Sequence, residues 1–71
     1  MSMLTIEPIR RLFKKAGAKR VSDEAAKELA KVLEEKAFLI SKEAQKLSEI
    51  SNRRTILKKD IKMARRVNER S

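Results

Sequence analysis

Histidine, cysteine, tryptophan and tyrosine are absent from this 71-residue chain, which has one glycine, one proline and two phenylalanines. Without histidine or cysteine it can form no disulfide framework and no Cys/His metal site. Triads and proton shuttles built on those side chains are excluded as well. A single glycine leaves no glycine-rich phosphate loop. The longest uninterrupted apolar run, Ala37-Phe38-Leu39-Ile40, is far too short to span a membrane. No apolar run near the N-terminus has the length of a signal-peptide core. Zero cysteine fits an intracellular protein. The length allows one domain at most, and a lone domain of this size buries only about 60% of its unfolded surface. Stability must therefore come from tight helix packing or from a partner chain.

Charge is what the chain has in quantity, and its distribution is informative. There are 19 Lys+Arg against 10 Asp+Glu, a formal net charge of +9. Residues 1–20 carry six cations (Arg10, Arg11, Lys14, Lys15, Lys19, Arg20) against Glu7 alone. Residues 21–51 carry five cations and seven acids, and residues 52–71 carry eight cations against Asp60 and Glu69. Two basic blocks thus flank a nearly neutral middle. A uniformly basic chain would imply only solubility, whereas this arrangement implies a polyanion held between the blocks.

The periodicity predicts three helices. The first runs from about Ile6 to Lys15, with Thr5 as N-cap and Pro8 in the first turn, where a missing N–H costs nothing. Ile6, Ile9, Phe13 and Ala16 recur at helical spacing, with Leu12 beside them. Gly17 ends it. The second runs from about Asp23 to Ile50, with Ser22 as N-cap and Asp23 and Glu24 set against the helix dipole. Its stripe is Ala26, Leu29/Ala30, Leu33, Ala37, Ile40, Ala44 and Leu47. Asn52, just past its end, suits a left-handed turn. The third covers roughly Leu57 to Val67, with Leu57, Ile61 and Ala64 on one face and Met63 and Val67 close by. Residues 68–71 are expected to fray.

The middle helix is too long for its own domain. At 1.5 Å per residue it measures roughly 42 Å. A compact chain of this length has a radius of gyration near 11 Å, hence a width of roughly 28–30 Å. Two short helices cannot cover such a stripe, but a second copy crossing its own long helix over the first can. An obligate homodimer is expected.

These segments resemble a known family. Short helix, long helix and short helix, joined by two loops, is similar to the all-α histone fold. The carriers are Ala16-Gly17-Ala18-Lys19-Arg20-Val21-Ser22-Asp23 in loop one, Asn52-Arg53-Arg54-Thr55-Ile56 in loop two, and Asp60-Ile61 after it. The stretch Leu29-Ala30-Lys31-Val32-Leu33-Glu34-Glu35 looks like the archaeal, tail-less branch. The resemblance covers about residues 4–67 of a single domain, 1–71. It implies an intertwined handshake homodimer that binds double-stranded DNA and compacts it. Such a protein would be cytoplasmic and associated with the chromosome or nucleoid. It would be no enzyme and would need no cofactor, metal, small-molecule substrate or membrane.

Loop chemistry can be read alongside the resemblance. Arg53 and Asp60 flank the second turn, and a planar guanidinium can hold a carboxylate through two parallel hydrogen bonds. In the resembling family this pair clamps the loop. Arg54 and Thr55 are then free to face outward, as a guanidinium and a hydroxyl suited to phosphate. In a crossed dimer, loop one of one chain lies beside loop two of the other, so Arg20 joins Arg54 and Thr55. The family pattern adds Arg11 and Lys14 on helix one, and Lys19 and Lys58 complete the DNA-binding set. With no Trp or Tyr there is no stacking platform of the kind single-strand binders use. Phosphate contacts position without specifying sequence, so bent duplex is the expected ligand.

The chain departs from the resembling family at two places. Dimers there join through the end of helix two and the start of helix three, aided by a histidine. The matching positions here are Leu47, Ile50, Asp60 and Met63, with Ile50 where the histidine would be, so any such contact is apolar. The second departure is Phe38-Leu39, a mid-helix pair that is typically charged in the relatives. Phe38 either folds over the crossing helices of its own dimer or joins two dimers into a tetramer that bridges duplexes. The rival function is a histone-fold subunit of a transcription or replication complex, acting mainly through protein contacts.

Overall fold

Capping bonds mark the end of the first helix, both ends of the second and the start of the third. The computed structural model describes residues 6–70, in the order α1 (Ile6–Lys15), α2 (Asp23–Ile50) and α3 (Lys58–Arg70). No strand occurs among the described residues. Thr5, the expected cap of α1, and Leu4 lie outside them. At the end of α1, Gly17 adopts φ 102°. Its N–H bonds the Lys14 carbonyl and the Ala18 N–H bonds the Phe13 carbonyl, both at 3.0 Å. These two bonds are a Schellman motif, which satisfies carbonyls the helix would otherwise leave open.

The ends of α2 behave as the sequence predicts. Ser22 Oγ accepts the Ala25 N–H at 3.0 Å, the geometry of an N-cap. At the other end Asn52 takes φ 57°. The Arg53 N–H bonds the Ser48 carbonyl and the Asn52 N–H bonds the Glu49 carbonyl, both at 2.9 Å. This second Schellman turn aims the chain into loop two.

Helix α3 differs from expectation at both ends. It begins at Lys58, with Leu57 at the N-cap position, where its side chain offers no acceptor. Asp60, three residues on, compensates by accepting the Leu57 N–H at 2.7 Å, the returning half of a capping box. The helix continues to Arg70 and does not stop at Val67. Asn68, Glu69 and Arg70, expected to fray, are helical. Arg65 Nε and Glu69 Oε1 pair at 2.9 Å across i,i+4, and a basic residue in the last turn suits the dipole.

The chain divides within α2, between Glu35 and Lys36, into two compact units. In the first, Ile9 of α1 is buried with Ala26 and Ala30 of α2, and Ile6, Phe13, Val21, Leu29 and Leu33 pack around them. Ala16 does not join that face: it lies past the helix end, in the turn, and is exposed. In the second unit the buried residues are Ala44 and Ser48 of α2 and Asp60 and Ala64 of α3. The Ser48 hydroxyl donates to the Gln45 carbonyl at 2.8 Å, so its burial leaves no open donor.

What each unit buries is mostly alanine. Leu12, Val32, Ile56, Leu57, Ile61 and Val67 remain exposed. The α2 stripe is covered at its two ends and open in the middle: Ala26, Ala30 and Ala44 are buried, Leu33 and Ile40 are half-buried, and Ala37 is exposed.

Candidate functional site

Loop two is built around one ion pair. Arg53 Nη1 and Nη2 donate to Asp60 Oδ2 and Oδ1, both at 2.8 Å. Arg53 Nη1 also donates to the Thr55 carbonyl at 2.8 Å. A single guanidinium thus holds the first turn of α3 and the backbone of the loop before it. Asp60 is 5% exposed, and both its oxygens are engaged by Arg53 and the Leu57 N–H. Hydrogen bonding from Arg53, then from the Leu57 backbone, holds the Asp60 carboxyl down at about 2. The same bond raises Arg53 above its ordinary value. The Arg53–Asp60 pair is thus bidentate.

With Arg53 committed, its neighbours are free. Arg54, Thr55 and Lys58 are exposed, and the side chains of Arg54 and Lys58 make no hydrogen bond or ion pair among the described residues. A shallow recess at this corner is lined by Gln45, Ser48, Glu49, Arg53, Arg54 and Ile56. A guanidinium, a hydroxyl and an ammonium are thus presented within five residues of a rigid loop–helix junction.

Loop one is pinned in the same way, by a residue that sequence reasoning did not single out. Arg10 Nη1 donates to the Val21 carbonyl at 2.8 Å, and Arg10 Nη2 pairs with Asp23 Oδ1. Asp23, which the sequence presents as an acid at the α2 N-terminus, also receives an arginine from α1. The available signal was a basic residue on α1 whose position continues neither the apolar face nor the outward one. Around this pin, Arg11 and Lys14 lie on the solvent side of α1, and Lys19 and Arg20 lie on the loop; all four are exposed. None of them forms an ion pair among the described residues. The expected phosphate-binding residues therefore form two groups, one on each unit, each beside an arginine-pinned loop.

The apolar candidates are equally open. Ile50 is 78% exposed and Met63 48%. With Leu47 and Lys59 they border a shallow depression beside the clamp. Phe38 is 62% exposed, and the Lys42 ammonium lies 5.6 Å from the centre of its ring. That cation–π contact stands in for the packing a core phenylalanine would have. Leu39, also exposed, lines a separate recess with Lys42, Glu43, Lys46, Val67 and Asn68.

Comparison with known proteins gives consistent results. The family model described as histone-like transcription factor (CBF/NF-Y) and archaeal histone matches residues 3–64. The chain is 45% identical over 64 residues to one of the archaeal histone HAN1 subunits of Thermococcus zilligii, covering 90% of this chain and 96% of that protein. It is 41% identical over 66 residues to probable archaeal histone 3 of Methanocaldococcus jannaschii, covering 93% of this chain and 98% of that one.

Proposed function

The chain belongs to the family of histone-like transcription factors and archaeal histones, and from that premise we propose that it binds and compacts double-stranded DNA as a handshake homodimer. One observation carries the reading most directly. Arginine side chains pin both loops from inside, at Arg10 and Arg53, while Arg20, Arg54 and Thr55 beside them are exposed. Loops held rigid and left cationic outside are built to meet phosphate without reorganising.

The burial pattern supports the dimer. A second α2 crossing the first at Ala37 would cover the open middle of the stripe, together with exposed apolar side chains such as Val32 and Ile61. It would also bring Arg20 of one protomer beside Arg54 and Thr55 of its partner. Arg11, Lys14, Lys19 and Lys58 extend the contact along the duplex. Recognition is through phosphate, with sequence preference arising from how readily the duplex bends.

Fluorescence anisotropy with two unrelated duplexes across a salt series tests the proposal. The expected result is similar affinity for both and a steep salt dependence. Strong discrimination between them at physiological salt overturns it. Nuclease digestion of the complex then reports the assembly: a ladder means stacked dimers joined through Leu47, Ile50 and Met63, whereas one short protected fragment means isolated or bridging dimers.

A second reading has two observations in its favour: the family also contains transcription factors, and Ile50 offers an exposed apolar contact. A protein acting through such contacts keeps its partners in a high-salt pull-down, whereas a DNA complex dissociates.

A further inference from the structure

Helix α3 carries more positive charge than its place in the fold requires. Its 13 residues include Lys58, Lys59, Lys62, Arg65, Arg66 and Arg70. Its two acids are spoken for: Asp60 is held by Arg53, and Glu69 pairs with Arg65. Lys59, Lys62, Arg66 and Arg70 follow one another at spacings of three, four and four, so they form one line along the helix. With Arg65 and Lys58 they occupy an arc of about 140° at 100° per residue. The buried residues Asp60 and Ala64 lie on the other side. Lys62 and Arg66 are exposed and form no ion pair among the described residues.

Nothing internal explains this line of charge. Like charges at i,i+3 and i,i+4 destabilise a helix, and Lys58 and Lys59 stand at the positive end of the α3 dipole. Against the apolar stripe of a second α2 the row would be buried unpaired, which is strongly unfavourable. In the proposed dimer this face is therefore the one left to solvent, at a cost to the helix.

We propose that the outward face of α3, through Lys59, Lys62, Arg66 and Arg70, binds a second DNA duplex, so that each dimer can bridge two. This rests on the DNA-binding reading above and extends it to a face outside the loop groups. The chemistry favours a phosphate backbone over an acidic protein. The line itself holds no aromatic or apolar residue, and of the residues lining the recess beside it, Ile61, Lys62, Arg65, Arg66 and Glu69, only Ile61 is apolar. Its reach suits a duplex: Lys59 to Arg70 spans about 16 Å of helix, or roughly five base-pair steps along the duplex axis. A membrane surface is disfavoured, since an interfacial helix needs its apolar side free and here that side holds the buried Ala64.

The test is capture of a labelled free duplex by a bead-tethered duplex at about 100 mM salt. The parent protein should capture it, and Lys62→Ala/Arg66→Ala should lower capture about tenfold while leaving the affinity for a single duplex within about twofold. The charge-preserving Lys62→Arg/Arg66→Lys should restore capture. Undiminished capture by the alanine variant overturns the inference, and so does capture lost only in Phe38→Glu, which would place bridging in a tetramer. A parent that binds no duplex at all refutes the underlying DNA-binding reading instead.

Discussion

Arg53 and Arg54 are adjacent in sequence and opposite in commitment. All of Arg53's contacts are internal, to Asp60 and the Thr55 carbonyl, whereas Arg54 is exposed. Replacing each by alanine should therefore separate folding from binding. Each phosphate neutralised contributes about −0.9 to the slope of log affinity against log salt. A dimer making about six contacts has a slope near −5. Arg54→Ala removes one contact per protomer, two per dimer, and should flatten the slope to about −3.5. Between 50 and 200 mM salt the parent then loses roughly 1,000-fold in affinity and the variant roughly 130-fold. Its melting temperature should not move. Arg53→Ala should do the reverse. It leaves a buried carboxylate without its guanidinium, so the melting temperature falls, while the salt slope of the folded protein keeps the parent value. Anisotropy at four salt concentrations and a thermal melt by circular dichroism measure both quantities. An unchanged slope in Arg54→Ala, or a flattened slope with an unchanged melting temperature in Arg53→Ala, refutes this assignment of roles.

Asp60 has a folded pKa of about 2, below its ordinary 3.8, so its contribution to stability is present above about pH 4 and is lost as pH falls toward 2. Asp60→Asn should melt lower than the parent at neutral pH, with the gap closing in acid; a constant gap down to pH 2 contradicts the clamp. If folding requires a second chain, the melting temperature should rise with protein concentration, and one that is constant over a hundredfold range argues for a stable monomer. Gly17→Ala meets no atom within 4 Å but must adopt φ +102°, so backbone strain alone should cost about 1–2 kcal/mol per protomer. Gly17→Asn should cost less, and the opposite order would mean a steric cause. Phe38→Glu should reduce any tetramer seen by light scattering to a dimer, and a tetramer that persists clears the mid-helix face.

Local features of the fold were legible because their causes are local. Ser22, Gly17 and Asn52 each satisfy or stop a helix through their own backbone or side chain, and the structure uses all three as expected. The Arg53–Asp60 pair was legible because both ends of a short turn are fixed by the helices they join. Two features were not. The last turn of α3 carries the Arg65–Glu69 pair, a small stabilisation that propensity alone does not rank above fraying. Arg10 reaches residues 11 and 13 positions away, and no spacing rule connects a helix to a loop that folds back beside it.

That missed residue changes how the basic charge should be counted. Among the described residues Arg10, Arg53 and Arg65 are paired with acids, so net charge alone does not show which cations are available for phosphate. In each loop the pairing follows one rule: an arginine anchored at its base holds the backbone, and the next exposed basic residue along that loop carries no ion pair. Arg10 holds Val21, next to Arg20; Arg53 holds Thr55, next to Arg54. The anchoring arginine sets where its neighbour can reach, so its worth to binding lies in geometry, not charge. Exchanging Arg53 for Lys tests this, because lysine keeps the charge but cannot make two parallel bonds to Asp60 while holding Thr55. If charge is what matters, Arg53→Lys binds DNA as the parent does. If position matters, affinity at a fixed salt concentration falls although net charge is unchanged. The salt slope should hold, because the same number of phosphates is neutralised in poorer register.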